Sequence, residues 1–350
     1  MKANKWFLLF LAVCLVFSFA ACGGGGGGAD TTADNGDDPA GGGDGGGNGG
    51  GNGGNGGGNS APAGPWLCFT ALTAGSSIST TNQGGTVANT PSLEFSTDGE
   101  NWEHFILNTG DDATNTTVPL ANAGDKVYLR ATGTNDSFSE SGKYIIFTME
   151  GSIAASGNIM SLLDKDCNST VIPNNECFSC LFSGCSVLKT APALPATTLT
   201  YKCYNNMFYN CTGLTTAPDL PAMTLANSCY EHMFLGCSYL TTAPELPATT
   251  LAMGCYVSMF SGCSSLATAP ELPATNLADY CYAGMFYDCK SLNSITVHFT
   301  KWVDASWNNA TMDWVYGVAA IGEFHCPGTL PDEVSANDKK PSGWTKVPLP

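Results

Sequence analysis

The sequence has few basic residues, with 13 Lys and Arg against 30 Asp and Glu and a formal net charge of −17. A nucleic-acid-binding protein needs a basic patch, so binding to nucleic acid is not expected. The acidic balance favours solubility and disfavours docking on anionic lipid. The four histidines are scattered, and the sequence has no nucleophile elbow, phosphate loop or paired metal motif. We therefore predict no catalytic residues, no metal site and no cofactor.

The sequence has one long apolar run, at residues 6–21, and no other stretch approaches membrane-spanning length. That run follows Lys2 and Lys5, as in an export signal, and is short for a span of about 20 residues. It ends in Phe19-Ala20-Ala21-Cys22, which resembles a bacterial lipobox. Residues 1–21 are predicted to be a lipoprotein signal peptide, with the lipid on Cys22. The alternative is ordinary cleavage near Ala20 without a lipid.

Residues 22–64 consist almost entirely of Gly and small or polar residues. Such a composition cannot form a hydrophobic core. As a Gly-rich coil the segment would extend roughly 35 Å on average. We interpret it as a disordered tether that lifts a domain from a membrane, although a low-complexity tract without a spacing role is the alternative.

Residues 65–160 have the patterns of β-strands and no useful helical periodicity. Residues 126–131 alternate with a period of two, as a half-buried strand should, and residues 144–149 form a largely apolar run. Asp98-Gly99 lies between two strand-like runs, which is a strong hairpin signal. The sequence predicts an all-β sandwich domain over residues 65–160.

A repeat of 26 residues then recurs without a slip. Repeats 1 to 5 open at Cys177, Cys203, Cys229, Cys255 and Cys281. A fixed period in the twenties is typical of a solenoid, in which each unit stacks on its neighbours. We therefore predict a solenoid of five repeats over residues 161–298, whose extended surface suits binding better than catalysis.

The third repeat predicts a short helix followed by a short strand. Its apolar residues fall at the i, i+4, i+5, i+8 and i+9 positions of one helix face: Leu225, Cys229, Tyr230, Met233 and Phe234. Gly236 offers a helix-ending position, and residues 241–243 suit a strand. The predicted fold class is therefore α+β and multidomain, with a β-sandwich followed by a solenoid of βα repeats.

The repeats carry the phrase Met-Phe-x-x-Cys-x-x-Leu followed by Leu-Pro. It appears as Met207-Phe208, Cys211, Leu214 and again at intervals of 26 residues, with Leu181-Phe182 in repeat 1. This phrase resembles the BspA-like leucine-rich-repeat surface lipoproteins of Bacteroidetes and spirochaetes. The resemblance implies a leucine-rich-repeat fold, surface display, and adhesion or ligand binding. It implies no catalytic residues.

The chain has 16 cysteines, of which ten form two columns locked to the repeat. Equivalent positions in stacked units should lie about 5 Å apart, which permits disulfide bonds between units. Each column has five members, so one would be left over, and Cys is also a common small buried residue. Buried thiols are the preferred interpretation, with some disulfides between repeats as the alternative.

An acidic column occupies one slot of the Pro-x-Leu-Pro phrase, at Asp219, Glu245 and Glu271. Like charges about 5 Å apart cost stability, so the column is a candidate for meeting a cation or a basic partner. The alternative is a solvated edge. Asn206 and His232, in a slot that varies between repeats, are further candidate ligand-binding residues, together with Asn205, Glu231, Tyr209 and Tyr287.

The repeat phrase dissolves after Ser294, and residues 299–350 are rich in tryptophan. Solenoids need an atypical terminal unit, so we predict a C-terminal cap. The alternative is an aromatic platform for sugar rings, which exposed tryptophans would favour. The tryptophans are Trp302, Trp307, Trp314 and Trp344.

Together these features predict a non-enzymatic lipoprotein that binds a protein or glycan ligand through its repeats. The predicted location is the outward face of a bacterial outer membrane, with a lipid anchor at Cys22. The alternative function is an envelope-scaffolding protein without a soluble ligand.

Overall fold

The computed structural model describes residues 65–108, 115–303, 309–333 and 337–350. The predicted signal peptide at 1–21, the tether at 22–64 and the lipidation site Cys22 lie outside these residues. The contacts group Pro62–Pro350 into one unit. No helix within the described ranges is long and apolar enough to cross a membrane.

The described residues fold almost entirely from strands and turns. A single 3₁₀ turn covers Ile159–Leu162, and the Asn158 side chain accepts the Met160 N–H at its start. The strands are β1 Leu67–Ala71, β2 Ser76–Gln83, β3 Leu93–Ser96, β4 Glu103–Phe105, β5 Val118–Leu120, β6 Lys126–Ala131, β7 Ser139–Glu140, β8 Lys143–Glu150, β9 Ile153–Ser156, β10 Leu188–Thr190, β11 Ser294–Thr296, β12 Gly322–Pro327 and β13 Trp344–Leu349.

Strands β1 to β9 form two mainly antiparallel sheets. One sheet has the order β10-β9-β1-β6-β3-β4 and the other β5-β2-β8-β7. Asp98-Gly99 lies in the turn of the β3–β4 hairpin, where the Asp98 carboxylate accepts the N–H groups of Glu100 and Asn101. One continuous buried core runs from these sheets into the repeats. Since β10 belongs to repeat 1, the first sheet also continues directly into the repeats.

The predicted α+β fold class with leucine-rich βα repeats is wrong. The described repeats contain no α-helix, and each carries a series of tight turns where the helix was expected. In repeat 3, left-handed backbone recurs every four residues, with φ of 53° at Ser228, 59° at His232 and 78° at Gly236. A right-handed helix cannot pass through such residues. The sequence misled because turns of four residues bring Cys229 and Met233 to the same side, as a helix of 3.6 residues per turn nearly does.

The turns satisfy their backbone groups in two alternating ways. The N–H of Asn205 donates to the Lys202 carbonyl within the same turn, whereas the N–H of Tyr204 donates to the Cys229 carbonyl of the next repeat. The same alternation continues from repeat to repeat, so consecutive turn segments are bonded side by side. Because buried backbone groups must be paired, this ladder replaces the internal hydrogen bonds of a helix.

Aromatic rings form two columns inside the turn ladder. Consecutive phenylalanines and tyrosines lie 5.4 to 5.9 Å apart between ring centroids, and their planes differ by no more than 7°. The columns are Phe182, Phe208, Phe234, Phe260 and Phe286, and Tyr204, Tyr230, Tyr256 and Tyr282.

The opposite side of the repeats is a thin parallel ladder of single bridges. Thr190 pairs with Thr216, Thr216 with Thr242, and Thr268 with Ser294. At Ser294 the ladder becomes β11, the first strand of the parallel sheet β11-β12-β13. The repeats therefore join the N-terminal sheets to a C-terminal sheet.

The C-terminal segment covers the end of the ring columns. Trp314 is fully buried and packs on Tyr282 and Phe286 at 6.4 and 6.2 Å. Trp302 and Trp344 are also buried, and Trp307 lies outside the described residues. The burial fits the expected cap, and these three tryptophans offer no platform for sugar rings.

Candidate functional site

Most positions that repeat without change face inward, and the exposed threonines of the bridge ladder, such as Thr216 and Thr242, are the exception. Cys229, Tyr230, Met233 and Phe234 are all essentially inaccessible to solvent, as are their equivalents in the neighbouring repeats. These residues form the frame of the stack. A ligand can therefore contact only the exposed positions, which include the slots where the residue type changes from one repeat to the next.

The fourteen cysteines in the described part of the chain form no disulfide bond. The second column has a specific role, because each thiol donates to the phenylalanine carbonyl of the element before it. The donor-to-acceptor distances are 3.1 Å for Cys185 to Phe147, 3.0 Å for Cys211 to Phe182, 3.1 Å for Cys237 to Phe208, 3.2 Å for Cys263 to Phe234 and 3.0 Å for Cys289 to Phe260.

Burial favours the protonated form of the thiols in both cysteine columns. Burial raises the pKa of Cys185, Cys203 and Cys281 to about 12. Since the thiolate is the nucleophile and the metal ligand, cysteines in this state are inert. The two columns are structural, and they offer no reactive centre.

The acidic column lies on the surface. Asp219, Glu245 and Glu271 are all exposed, as is Ala193 in the corresponding slot of repeat 1. Glu271 contacts the His298 ring at 2.5 Å. Asp219 and Glu245 form no ion pair with any described residue. Asp219 and Glu245 are therefore accessible to a partner, whereas Glu271, at the C-terminal end of the column, already contacts His298.

The other candidate residues meet in one place, which we call the polar cluster: Lys202, Asn205, Asn206, Glu231 and His232. The Lys202 ammonium lies 3.8 Å from the Glu231 carboxylate, which is 3.9 Å from His232 Nδ1. The Asn205 amide donates to the Glu231 carbonyl at 3.3 Å, and the Asn206 amide donates to Asn205 Oδ1 at 2.6 Å. The structure thus brings together Lys202 at the end of repeat 1 and residues from repeats 2 and 3.

Most of the polar cluster lies below the surface. His232 and Asn205 are each 7% exposed, and Asn206 is half-buried. Asn206 and His232 occupy the left-handed slot of their repeats, with φ of 54° and 59°. Asparagine and histidine adopt this conformation more readily than most residues. Their presence in that slot therefore has a backbone reason beside any role in binding.

Burial and charge set the protonation of the polar cluster. Burial lowers the pKa of His232, and Lys202 adds to the effect while Glu231 opposes it. Burial alone would lower the pKa of Lys202, but Glu231 and Tyr201 raise it above the ordinary value. At neutral pH the cluster holds a neutral imidazole, an ammonium and a carboxylate. Such a set can donate and accept hydrogen bonds but holds no activated nucleophile.

Repeats 4 and 5 lack this chemistry. The slots of Glu231 and His232 are filled by Val257 and Ser258 in repeat 4 and by Ala283 and Gly284 in repeat 5. Tyr287 is instead stacked on Tyr316 of the C-terminal segment, with ring centroids 4.7 Å apart, and Tyr209 is buried. Polar variation is thus concentrated at the N-terminal end of the stack.

A cleft of about 510 Å³ lies beside the polar cluster, and sequence reasoning missed it. Side chains from segments 87–89, 136–141 and 174–176 line it together with Tyr201. Tyr201 adjoins Lys202, whose ammonium lies 5.5 Å from the tyrosine ring centroid. The polar run Asn174-Asn175-Glu176 just before repeat 1 was the available signal for the cleft. The residues that complete the lining come from distant parts of the chain and could not be placed beside this run from the sequence.

No family model, curated protein or solved structure matches this chain. Within the described ranges, no group of three or more His, Cys, Asp or Glu side chains is placed to hold a metal ion. The site must therefore be interpreted from its own geometry.

Proposed function

We propose that this chain is an exported, non-enzymatic bacterial surface protein that binds a protein or glycan ligand. In this proposal a lipid on Cys22 holds it at the outer membrane and residues 22–64 act as the tether. The observation that carries the proposal is the gathering of changing polar residues on a constant buried frame. Lys202 and Glu231 meet beside the cleft, while the inward Cys, Tyr, Met and Phe residues stay the same in repeats 2 to 5.

A frame of this kind suits recognition. The buried rings and thiols fix the position of each turn, so a side chain in a changing slot is presented without loss of the fold. Preorganised contacts of this type reduce the entropy lost on binding. The exposed carboxylates of Asp219 and Glu245 provide a further surface for a basic group on a protein partner.

The proposal is tested by applying the full chain to an array of host matrix proteins, mucins and glycans. We expect saturable binding to one class of ligand at neutral pH. Absence of binding across the array by a correctly folded chain, together with self-association in solution, would contradict the proposal. That result would favour the scaffolding alternative.

A further inference from the structure

The cleft beside the polar cluster has a definite place in the fold. It lies where the segment carrying β7, Ser139–Glu140, meets the residues that precede repeats 1 and 2. Its volume of about 510 Å³ falls within the range of about 300–1,000 Å³ found for small-ligand sites. Tyr201 is 41% exposed and presents an aromatic ring to it.

Three carboxylates line the cleft, and two of them, Glu140 and Glu176, have a cationic neighbour. Glu140 is paired with the Lys143 ammonium at 2.5 Å. Burial raises the pKa of Glu176, with Lys202 opposing the rise in part. Asp136 is left as the exposed carboxylate without an ion-pair partner in the described chain. No Lys, Arg or His is among the described residues that line the cleft, so an anionic ligand has no counterion there.

The remaining lining is rich in amides and hydroxyls. The Asn174 amide donates to the Asp136 carbonyl at 3.4 Å, and Asn175 Oδ1 accepts the Tyr201 N–H at 3.2 Å. The first bond holds Asn174 against the segment of Asp136, and the second holds the backbone of Tyr201 against Asn175. The side chains of Asn89 and Asp136 are exposed and form no hydrogen bond with described residues, so both can bond to a ligand.

We propose that this cleft binds a neutral oligosaccharide, with a sugar ring on Tyr201 and sugar hydroxyls bonded to Asn89 and Asp136. A ring with an apolar face and many hydroxyl groups matches an aromatic side chain bordered by amides and one carboxylate. The inference rests on the proposed binding function and names the class of ligand for it. A cationic peptide is the competing ligand, and the lysines already beside Glu140 and Glu176 disfavour it.

The test uses the full chain and a panel of neutral, sialylated and sulfated glycans, with a lysine-rich peptide as a further probe. We expect binding to neutral glycans only. The Tyr201→Ala variant should lose about fivefold to tenfold in affinity, in line with one aromatic contact. Tyr239→Ala is the matched control, because Tyr239 is 65% exposed and does not line the cleft; its affinity should equal that of the unaltered chain.

Salt separates the two kinds of ligand. Raising ionic strength from 0.1 M to 1 M shortens the screening length from about 10 Å to about 3 Å. Affinity for a neutral glycan should change little, and Asp136→Asn should weaken it only by the loss of one acceptor. Binding of the lysine-rich peptide that falls steeply with salt and is abolished by Asp136→Asn would overturn the inference.

Two further outcomes distinguish this inference from the proposed function. Glycan binding that is identical in Tyr201→Ala and Tyr239→Ala would overturn the cleft as the site while the binding function stands. Absence of binding to the glycan panel, with binding to a matrix protein, would also overturn the cleft and leave the function. Absence of binding to every probe would contradict both.

Discussion

Repeats 2 and 3 differ from repeats 4 and 5 on the outside and agree on the inside. Both pairs have the same buried Cys, Tyr, Met and Phe residues and the same stacked rings. Only the first pair contains the asparagines of the polar cluster and Glu231, the partner of Lys202, whereas Val257 and Ala283 fill the slot of Glu231 in the second. The frame and the recognition residues can therefore change independently.

The largest expected effect concerns the frame shared by both pairs. Burial raises the pKa of the Cys203 and Cys281 thiols to about 12 from a reference value of 9.0. Because the folded pKa lies above the unfolded one, stability is fully present below pH 9.0 and is lost as pH rises towards 12. We expect the unfolding midpoint in urea to be constant from neutral pH to about 9 and then to fall steeply.

Hydrogen exchange at alkaline pH sharpens this prediction. Repeats 2–3 and 4–5 should lose protection together, because the cysteine columns run through both. Loss of protection confined to repeats 2 and 3 would show that the polar cluster, and not the shared frame, controls the alkaline transition.

Removing one ring from the frame should have the next largest effect. Phe234 is fully buried and stacks between Phe208 and Phe260. Phe234→Ala should reduce the free energy of unfolding by about 3–5 kcal/mol, because it leaves a cavity. Tyr239→Ala in the same repeat is the control and should change it by less than about 0.5 kcal/mol. Equal effects in denaturant titrations would contradict the assignment of frame and surface.

The left-handed slot can be tested at His232. A β-branched residue is strained at its φ of 59°, so His232→Val should cost about 1–2 kcal/mol of stability. His232→Gly relieves this strain and is the matched variant. The midpoint of thermal unfolding should therefore be higher for His232→Gly than for His232→Val. The reverse order would argue against the left-handed turn.

The smallest effect concerns the start of the tyrosine column. The Tyr204 hydroxyl is buried without a hydrogen-bond partner among the described residues, and repeat 1 has Phe178 in that slot. Tyr204→Phe should raise stability by about 1 kcal/mol, because it removes an unsatisfied polar group. A loss of stability in chemical denaturation would indicate that the hydroxyl has a partner.

The sequence predicts the period, the inward residues and the β3–β4 hairpin, because each depends on spacing within a short stretch of chain. It predicts a helix wrongly, since a four-residue turn period and a helical period place Cys229 and Met233 alike. The cleft could not be predicted, because Asp136, Asn174 and Tyr201 meet only through packing of the N-terminal sheets on the first repeats. The placement of Asp219 and Glu245 on the surface follows from their position beside buried Leu220 and Leu246.

The most direct test gives repeat 3 the outer residues of repeat 4. The double substitution Glu231→Val and His232→Ser places in repeat 3 the residues that repeat 4 holds at Val257 and Ser258. The account predicts a cooperatively folded protein of nearly unchanged stability whose affinity for its array ligand falls by about tenfold or more, because Lys202 loses its carboxylate partner. Unchanged affinity in a folded double variant would contradict the claim that the polar cluster, with its Lys202–Glu231 ion pair beside the cleft, takes part in recognition.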